Sequence, residues 1–164
     1  MRNNNYPLKN TFVISLSLII AMILTIVPLP GNMGWCRPLW VFLVLFCWLK
    51  MAPHIVGVIT AMLIGFLVDL LTGSVLGMHA FIFTLLAFMT IKFRVYAYNL
   101  PIWQQSIFLF LLILFYLILQ FWMIELQGGG IDAWQYWMTL FTSIVVWPVV
   151  NYVLKNVQMR YKVV

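Results

Sequence analysis

The stretch Pro53–Phe81, PHIVGVITAMLIGFLVDLLTGSVLGMHAF, decides how the rest of the chain is read. It places Asp69, one of only three acidic residues in 164, at the end of an uncharged apolar run. Gly57, Ala61, Gly65, Asp69 and Gly73 follow one another at intervals of four residues. That interval keeps them close to one side of a helix. In lipid, a stripe of small residues lets a second backbone approach closely, which is how apolar helices associate without a hydrophobic driving force. An acid facing lipid costs about 2.5–3.5 kcal/mol at mid-membrane on insertion scales, so Asp69 is expected to face protein or water. The five positions form the candidate helix-packing or partner-binding face, with a polar end.

Composition extends this reading to the whole chain. It is 65% hydrophobic and 7% charged, with a mean hydropathy of +1.07. A water-soluble domain has about a quarter of its residues charged, so this chain cannot clothe its surface in water. We expect a single polytopic membrane domain over 1–164, with lipid as its solvent. The nine Lys and Arg sit singly or in pairs between apolar segments, as membrane anchors do. No basic stripe exists to neutralise phosphates, which argues against a nucleic-acid partner. Cys36 and Cys47 form no CxxC, and no His/Cys spacing suits zinc, so neither a metal nor a disulfide framework is expected. Cys47 is expected to pack as a small hydrophobe.

Near the N-terminus, Arg2, Lys9 and the run Thr11–Val27 imitate the first two regions of a signal peptide. Pro28-Leu29-Pro30-Gly31 follows with no A-x-A pattern, and bulky Trp35 precedes Cys36. The segment reads as a retained signal-anchor helix. Spanning the hydrocarbon takes about 20 helical residues, and the runs that qualify or nearly do are roughly 11–29, 36–51, 55–72, 75–91, 102–125 and 134–154. Pro28 and Pro30 end the first run, while Pro38, Pro53 and Pro101 stand at helix starts, where the missing N–H is not needed. Pro148 falls inside the last run and is expected to kink it unless neighbours satisfy the freed carbonyl.

Charge decides the number of crossings. With six spans and both termini cytoplasmic, Arg2, Lys9, Lys50, Lys92, Arg94, Lys155, Arg160 and Lys162 lie inside and only Arg37 lies outside. If the second run does not cross, seven of the nine basic residues lie outside. The positive-inside rule selects six crossings, with Arg37 and Lys50 snorkelling from the ends of a short second helix. Trp35, Trp40, Trp122, Trp134 and Trp137 then fall near the outer interface and Trp48 and Trp103 near the inner one, as interfacial belts require.

Few residues could carry chemistry. Asp69 and His79 suggest a proton relay, since intramembrane acids and histidines build such pathways. The preferred reading is structural: Thr72, Ser74, Gly77 and His79 make a polar turn with Asp69, with Ser74 capping the fourth helix. His54 follows Pro53 at the inner face and reads as interfacial. The loop with Gly128-Gly129-Gly130 and Asp132 lacks the strand and the Lys of a phosphate-binding loop. Glu125 and Asp132 have no His, Lys or metal ligand beside them in sequence, and no serine carries a nucleophile motif. Catalytic, cofactor-binding and metal-binding residues are therefore none.

The residues Arg37-Pro38, Trp48, Pro53-His54, Gly65, Asp69, Gly73-Ser74, Leu76-Gly77 and His79-Ala80 together resemble the MreD family of Gram-negative bacteria. The match is close over about Arg37 to Phe81, and the other spans agree in layout and charge. Leu39 and Ile55 depart from the family pattern, which has an acidic residue after Arg-Pro and a basic one after Pro-His. The resemblance implies an all-α bundle of six transmembrane helices, like the substrate-binding subunits of energy-coupling-factor vitamin transporters. It implies residence in the bacterial inner membrane and a non-catalytic scaffold role in the rod complex. There the chain would pair with MreC to maintain cell shape and guide lateral peptidoglycan synthesis. MreB, RodA and a penicillin-binding transpeptidase belong to the wider complex that the resemblance implies. It assigns Arg37, Pro38, Pro53 and His54 to family motifs without a stated role. An alternative, motivated by the transporter likeness, is a small-solute-binding or transport subunit with its ligand near Asp69 and His79.

Overall fold

The computed structural model describes residues 6–27, 37–93, 101–126, 128 and 133–161. Among them there are six helices and no strand: α1 (Tyr6–Ile26), α2 (Trp40–Met51), α3 (Val58–Thr72), α4 (Met78–Lys92), α5 (Ile102–Glu125) and α6 (Ala133–Tyr161). The predicted fifth run coincides with α5, which starts directly after Pro101. The second, third and fourth helices begin three or four residues later than predicted, because Pro38, Gly57 and Gly77 each delay the first helical residue. The last helix continues through Pro148 to Tyr161, beyond the apolar run that marked its end in sequence. The loop Gly129–Asp132, the segment with Pro28, Pro30, Trp35 and Cys36, and Arg2, Arg94 and Lys162 lie outside the described residues.

Length separates the helices. Trp103–Glu125 and Trp137–Tyr161 are long and apolar enough to cross a membrane, while the apolar stretches of the other four have 10–17 residues. At 1.5 Å per residue, the 12 residues of α2 cover only about 18 Å. This short helix is the centre of the molecule. Every residue from Val41 to Met51 is buried, and it packs against α1, α4 and α6. Phe42 stacks on Tyr116 of α5 at 6.1 Å, and Phe46 meets the edge of Trp147 of α6 at 5.1 Å. A helix that is apolar all round has to be enclosed by others. The enclosing helices turn apolar side chains outward, among them Phe12, Ile59, Leu70, Phe88, Leu111 and Val145, all more than half exposed. Water does not tolerate so continuous an apolar exterior.

Polar side chains fasten α2 at both ends, and here two expectations are revised. Lys50 does not snorkel: it is 4% exposed, and its Nζ donates to Gln105 Oε1 at 2.8 Å and Asn151 Oδ1 at 3.2 Å. Burial among α5 and α6 gives the ammonium acceptors that it would otherwise have to find in water. Trp48 is not part of an interfacial belt. It is fully buried, and its indole N–H donates to Ser17 Oγ of α1 at 2.8 Å. Arg37, partly exposed, donates to the carbonyls of Thr25 and Val27, both at 2.9 Å, so it closes the C-terminal end of α1 as well as preceding α2. The Leu39 N–H, at the start of α2, finds Ser143 Oγ of α6 at 3.0 Å. Trp103 and Trp122 are well exposed, as belt residues are, whereas Cys47 is buried in the core.

The tightest approach lies between α3 and α4. A Cβ added to Gly65 would stand 2.6 Å from the Ala80 backbone nitrogen and 2.7 Å from the His79 carbonyl oxygen. Ala61, one turn earlier, is fully buried. A Cβ on Gly57 or on Gly73 would meet nothing within 4 Å, so the close contact of the small-residue stripe is made at Gly65, within the chain. Gly57 precedes α3 in an extended conformation, and its N–H donates to Thr60 Oγ1 at 2.8 Å.

These distances set a prediction. Gly65→Ala forces backbone against backbone and should destabilise the protein by about 1–3 kcal/mol. Gly57→Ala, with open space around it, should shift the thermal unfolding midpoint in detergent far less. Equal midpoints for the two variants would contradict the close approach at Gly65.

Candidate functional site at the α3–α4 turn

Gly73 ends α3 with φ of 66°, a left-handed conformation that suits glycine, and its N–H turns back to the Asp69 carbonyl. The Ser74 N–H reaches the same carbonyl at 3.2 Å. Four residues later Gly77, at φ of 97°, starts α4. The two glycines make a turn short enough to put the Asp69 side chain directly below the first turn of the next helix.

There the carboxylate is surrounded by donors. Oδ1 accepts from Ser74 Oγ at 2.8 Å, from the His79 backbone N–H at 2.9 Å and from His79 Nδ1 at 2.8 Å. Oδ2 accepts from the Gly77 N–H at 2.8 Å and more weakly from the Ala80 N–H at 3.4 Å. Asp69 is 1% exposed. The first N–H groups of a helix have no partner within it, and the positive end of the helix dipole favours an anion there. Asp69 supplies both, from a neighbouring helix. Ser74, expected to cap α4, instead donates to the carboxylate and receives the Thr72 hydroxyl at 3.2 Å. Its position after Gly73 turns its oxygen back toward α3, and the capping falls to Asp69.

Beside His79 opens a cleft of about 210 Å³, bordered by Arg37, Phe83, Tyr116, Gln120 and Thr139. The His79 ring meets Phe83 edge-on at 6.1 Å. The structure therefore brings Asp69, Thr72, Ser74, Gly77 and His79 into one turn, with Arg37 across the cleft. It does not bring Gly57, Pro53 or His54 there. These lie at the opposite end of α3, where His54 is exposed. Pro38 stands beside Arg37 and lines the same cleft.

The carboxylate can hold a helix in place. With both oxygens engaged by five donors, it is poorly set up to shuttle protons to solvent. No group of three His, Cys, Asp or Glu that could hold a metal exists among the described residues. A second polar site was not legible in sequence: Lys50, Gln105 and Asn151, from three helices, meet in the interior at the other end of α2. Gln105 near the start of one apolar run and Asn151 inside another were the signal that could have disclosed it.

Comparison with known proteins adds to this geometry. The family model for rod shape-determining protein MreD matches residues 7–157. The protein named "Rod shape-determining protein MreD" of Haemophilus influenzae (strain ATCC 51907 / DSM 11121 / KW20 / Rd) is similar to this chain, with 29% identity over 154 residues, covering 92% of this chain and 93% of the relative. No solved structure matches.

The turn's geometry orders its variants. Asp69→Ala leaves buried backbone donors at Gly77 and His79 without an acceptor and should cost about 2–5 kcal/mol of stability. Asp69→Asn, which keeps one acceptor oxygen, should cost less. His79→Ala removes one of five donors and spares the backbone ones, so it should cost least. Chemical or thermal unfolding of the three variants in detergent checks the order. A His79→Ala loss equal to that of Asp69→Ala would contradict it.

Proposed function

The chain belongs to the MreD family, and from that membership we propose that it is a non-catalytic, multi-pass scaffold subunit of the bacterial inner membrane that pairs with MreC. The family makes its role one of cell-shape determination. In the fuller reading the chain helps guide lateral peptidoglycan synthesis within a rod complex that also holds MreB, RodA and a penicillin-binding transpeptidase. It acts as a single domain over 1–164, with six crossings in an arrangement akin to the energy-coupling-factor substrate-binding subunits. Both termini are cytoplasmic, as is Lys92, whereas the Asp69 turn and Arg37 face outward.

The observation that carries this reading is the family match across 151 of 164 residues, since it reaches into all six helices. Packing supports the six crossings. The helix too short to span alone, α2, is enclosed by its neighbours, so its ends need not meet lipid. The commitment of Asp69 to five hydrogen bonds supports a structural use of this acid over proton transfer.

The cleft beside His79 motivates a second reading, a small-solute-binding subunit. Its volume of about 210 Å³ lies below the roughly 300–1,000 Å³ of ordinary ligand pockets, which favours the scaffold.

Three measurements test the proposal. Affinity purification of the tagged chain from its native membrane should bring MreC with it, while a panel of vitamins leaves the unfolding temperature in detergent unchanged. A ligand-dependent rise without MreC would favour the solute reading. In a Cys36→Ser, Cys47→Ala background, Lys92→Cys should react with impermeant maleimide only after the cells are opened. Labelling of intact spheroplasts would overturn the orientation.

A further inference from the structure

At the end of the bundle opposite Asp69, a cleft of about 470 Å³ lies between α5 and α6, lined by Lys50, Pro101, Gln105, Asn151, Tyr152 and Lys155. We propose that this cleft binds the phosphate headgroup of an anionic phospholipid. The inference rests on the membrane reading above but not on any protein partner.

Four features converge on an anion. Lys50 brings a charge into the interior, where its Nζ lies 5.1 Å from the centre of the Trp147 ring and bonds to two neutral amides. Those amides turn their oxygens to the ammonium, so their other polar ends are N–H donors. Lys155, one helical turn beyond Asn151 and exposed, adds a second cation on the same wall. The cleft also borders the N-terminal end of α5, where Pro101 and Gln105 lie in its lining and the dipole of a 24-residue helix favours negative charge.

The two acids among the described residues both lie far from Lys155. Glu125 ends α5, twenty residues and about 30 Å along the helix from Gln105. Asp69 lies in the last turn of α3, at the other end of the bundle.

The outward surface next to the cleft selects a lipid as the source of the anion. Tyr152 and Met159 of α6, both in the lining of the cleft, are more than half exposed, and they present an apolar wall on which acyl chains can lie. A lysine pair between helices at a membrane surface is the chemistry that holds anionic headgroups.

The test uses the full chain in nanodiscs of phosphatidylcholine, with or without phosphatidylglycerol. Native mass spectrometry counts retained lipids, and tryptophan fluorescence follows unfolding. Phosphatidylglycerol should be retained in preference to phosphatidylcholine and should raise the unfolding temperature. Lys155→Gln should reduce that retention about fivefold, the effect of one lysine near a charged surface. Its unfolding temperature in pure phosphatidylcholine should equal that of the unsubstituted chain, because the side chain is exposed. Equal retention of the two lipids, or of phosphatidylglycerol by the two chains, would overturn the site. Protection by millimolar inorganic phosphate in pure phosphatidylcholine, matching that of phosphatidylglycerol, would assign the cleft to a soluble anion and overturn the lipid. Failure to recover MreC would bear on the scaffold reading and leave these lipid results unchanged.

Discussion

Away from water, the first N–H groups of a helix must find acceptors inside the protein or leave an uncompensated cost of several kcal/mol. At α4 the acceptor is one side chain from the preceding helix. Asp69 reaches the backbone N–H groups of Gly77 and His79 at 2.8 and 2.9 Å. It can do so because Gly73 and Gly77 shorten the turn and because Gly65 lets Ala80 come against α3. The acid and the glycine depend on each other. A side chain at Gly65 would push the α4 backbone away from the carboxylate, and without the carboxylate the Gly77 and His79 N–H groups would lose their acceptor.

The same rule governs α2. A buried helix of 12 residues has polar ends that cannot reach water easily, and its neighbours provide for them. Ser143 meets the Leu39 N–H at the start, while Gln105 and Asn151 meet Lys50 at the finish. Ser17 ties down Trp48 between them. Together these bonds join α2 to α1, α5 and α6, so polar satisfaction and helix assembly are achieved by the same contacts. Such cross-ties fix the relative position of the helices.

Sequence conveyed the arrangement of elements well and the interior poorly. Long apolar runs bounded by proline located α5 to the residue, and the four-residue spacing of small side chains pointed to the helix face that closes on Ala80. The end of α6 was misjudged because Lys155–Tyr161 is polar, and hydropathy does not register a helix that leaves the apolar layer. Lys50 was misjudged for another reason. A lysine at the end of an apolar run looks the same whether it snorkels or is buried, and its partners stand 55 and 101 residues away. Periodicity carries no information over such separations. At the polar turn the residues were identifiable but their division of labour was not. Whether Ser74 or Asp69 caps α4 depends on where the turn points the serine oxygen, and that is decided by the two left-handed glycines acting together.

The lock on α4 is tested most directly by amide hydrogen exchange, resolved by residue, on the full chain in lipid nanodiscs. If the carboxylate accepts as described, the Gly77 and His79 amides exchange as slowly as those in the middle of α4, while Val75 and Leu76 in the same turn exchange fast. Rapid exchange at Gly77 and His79, level with Val75 and Leu76, would show that Asp69 does not hold the helix.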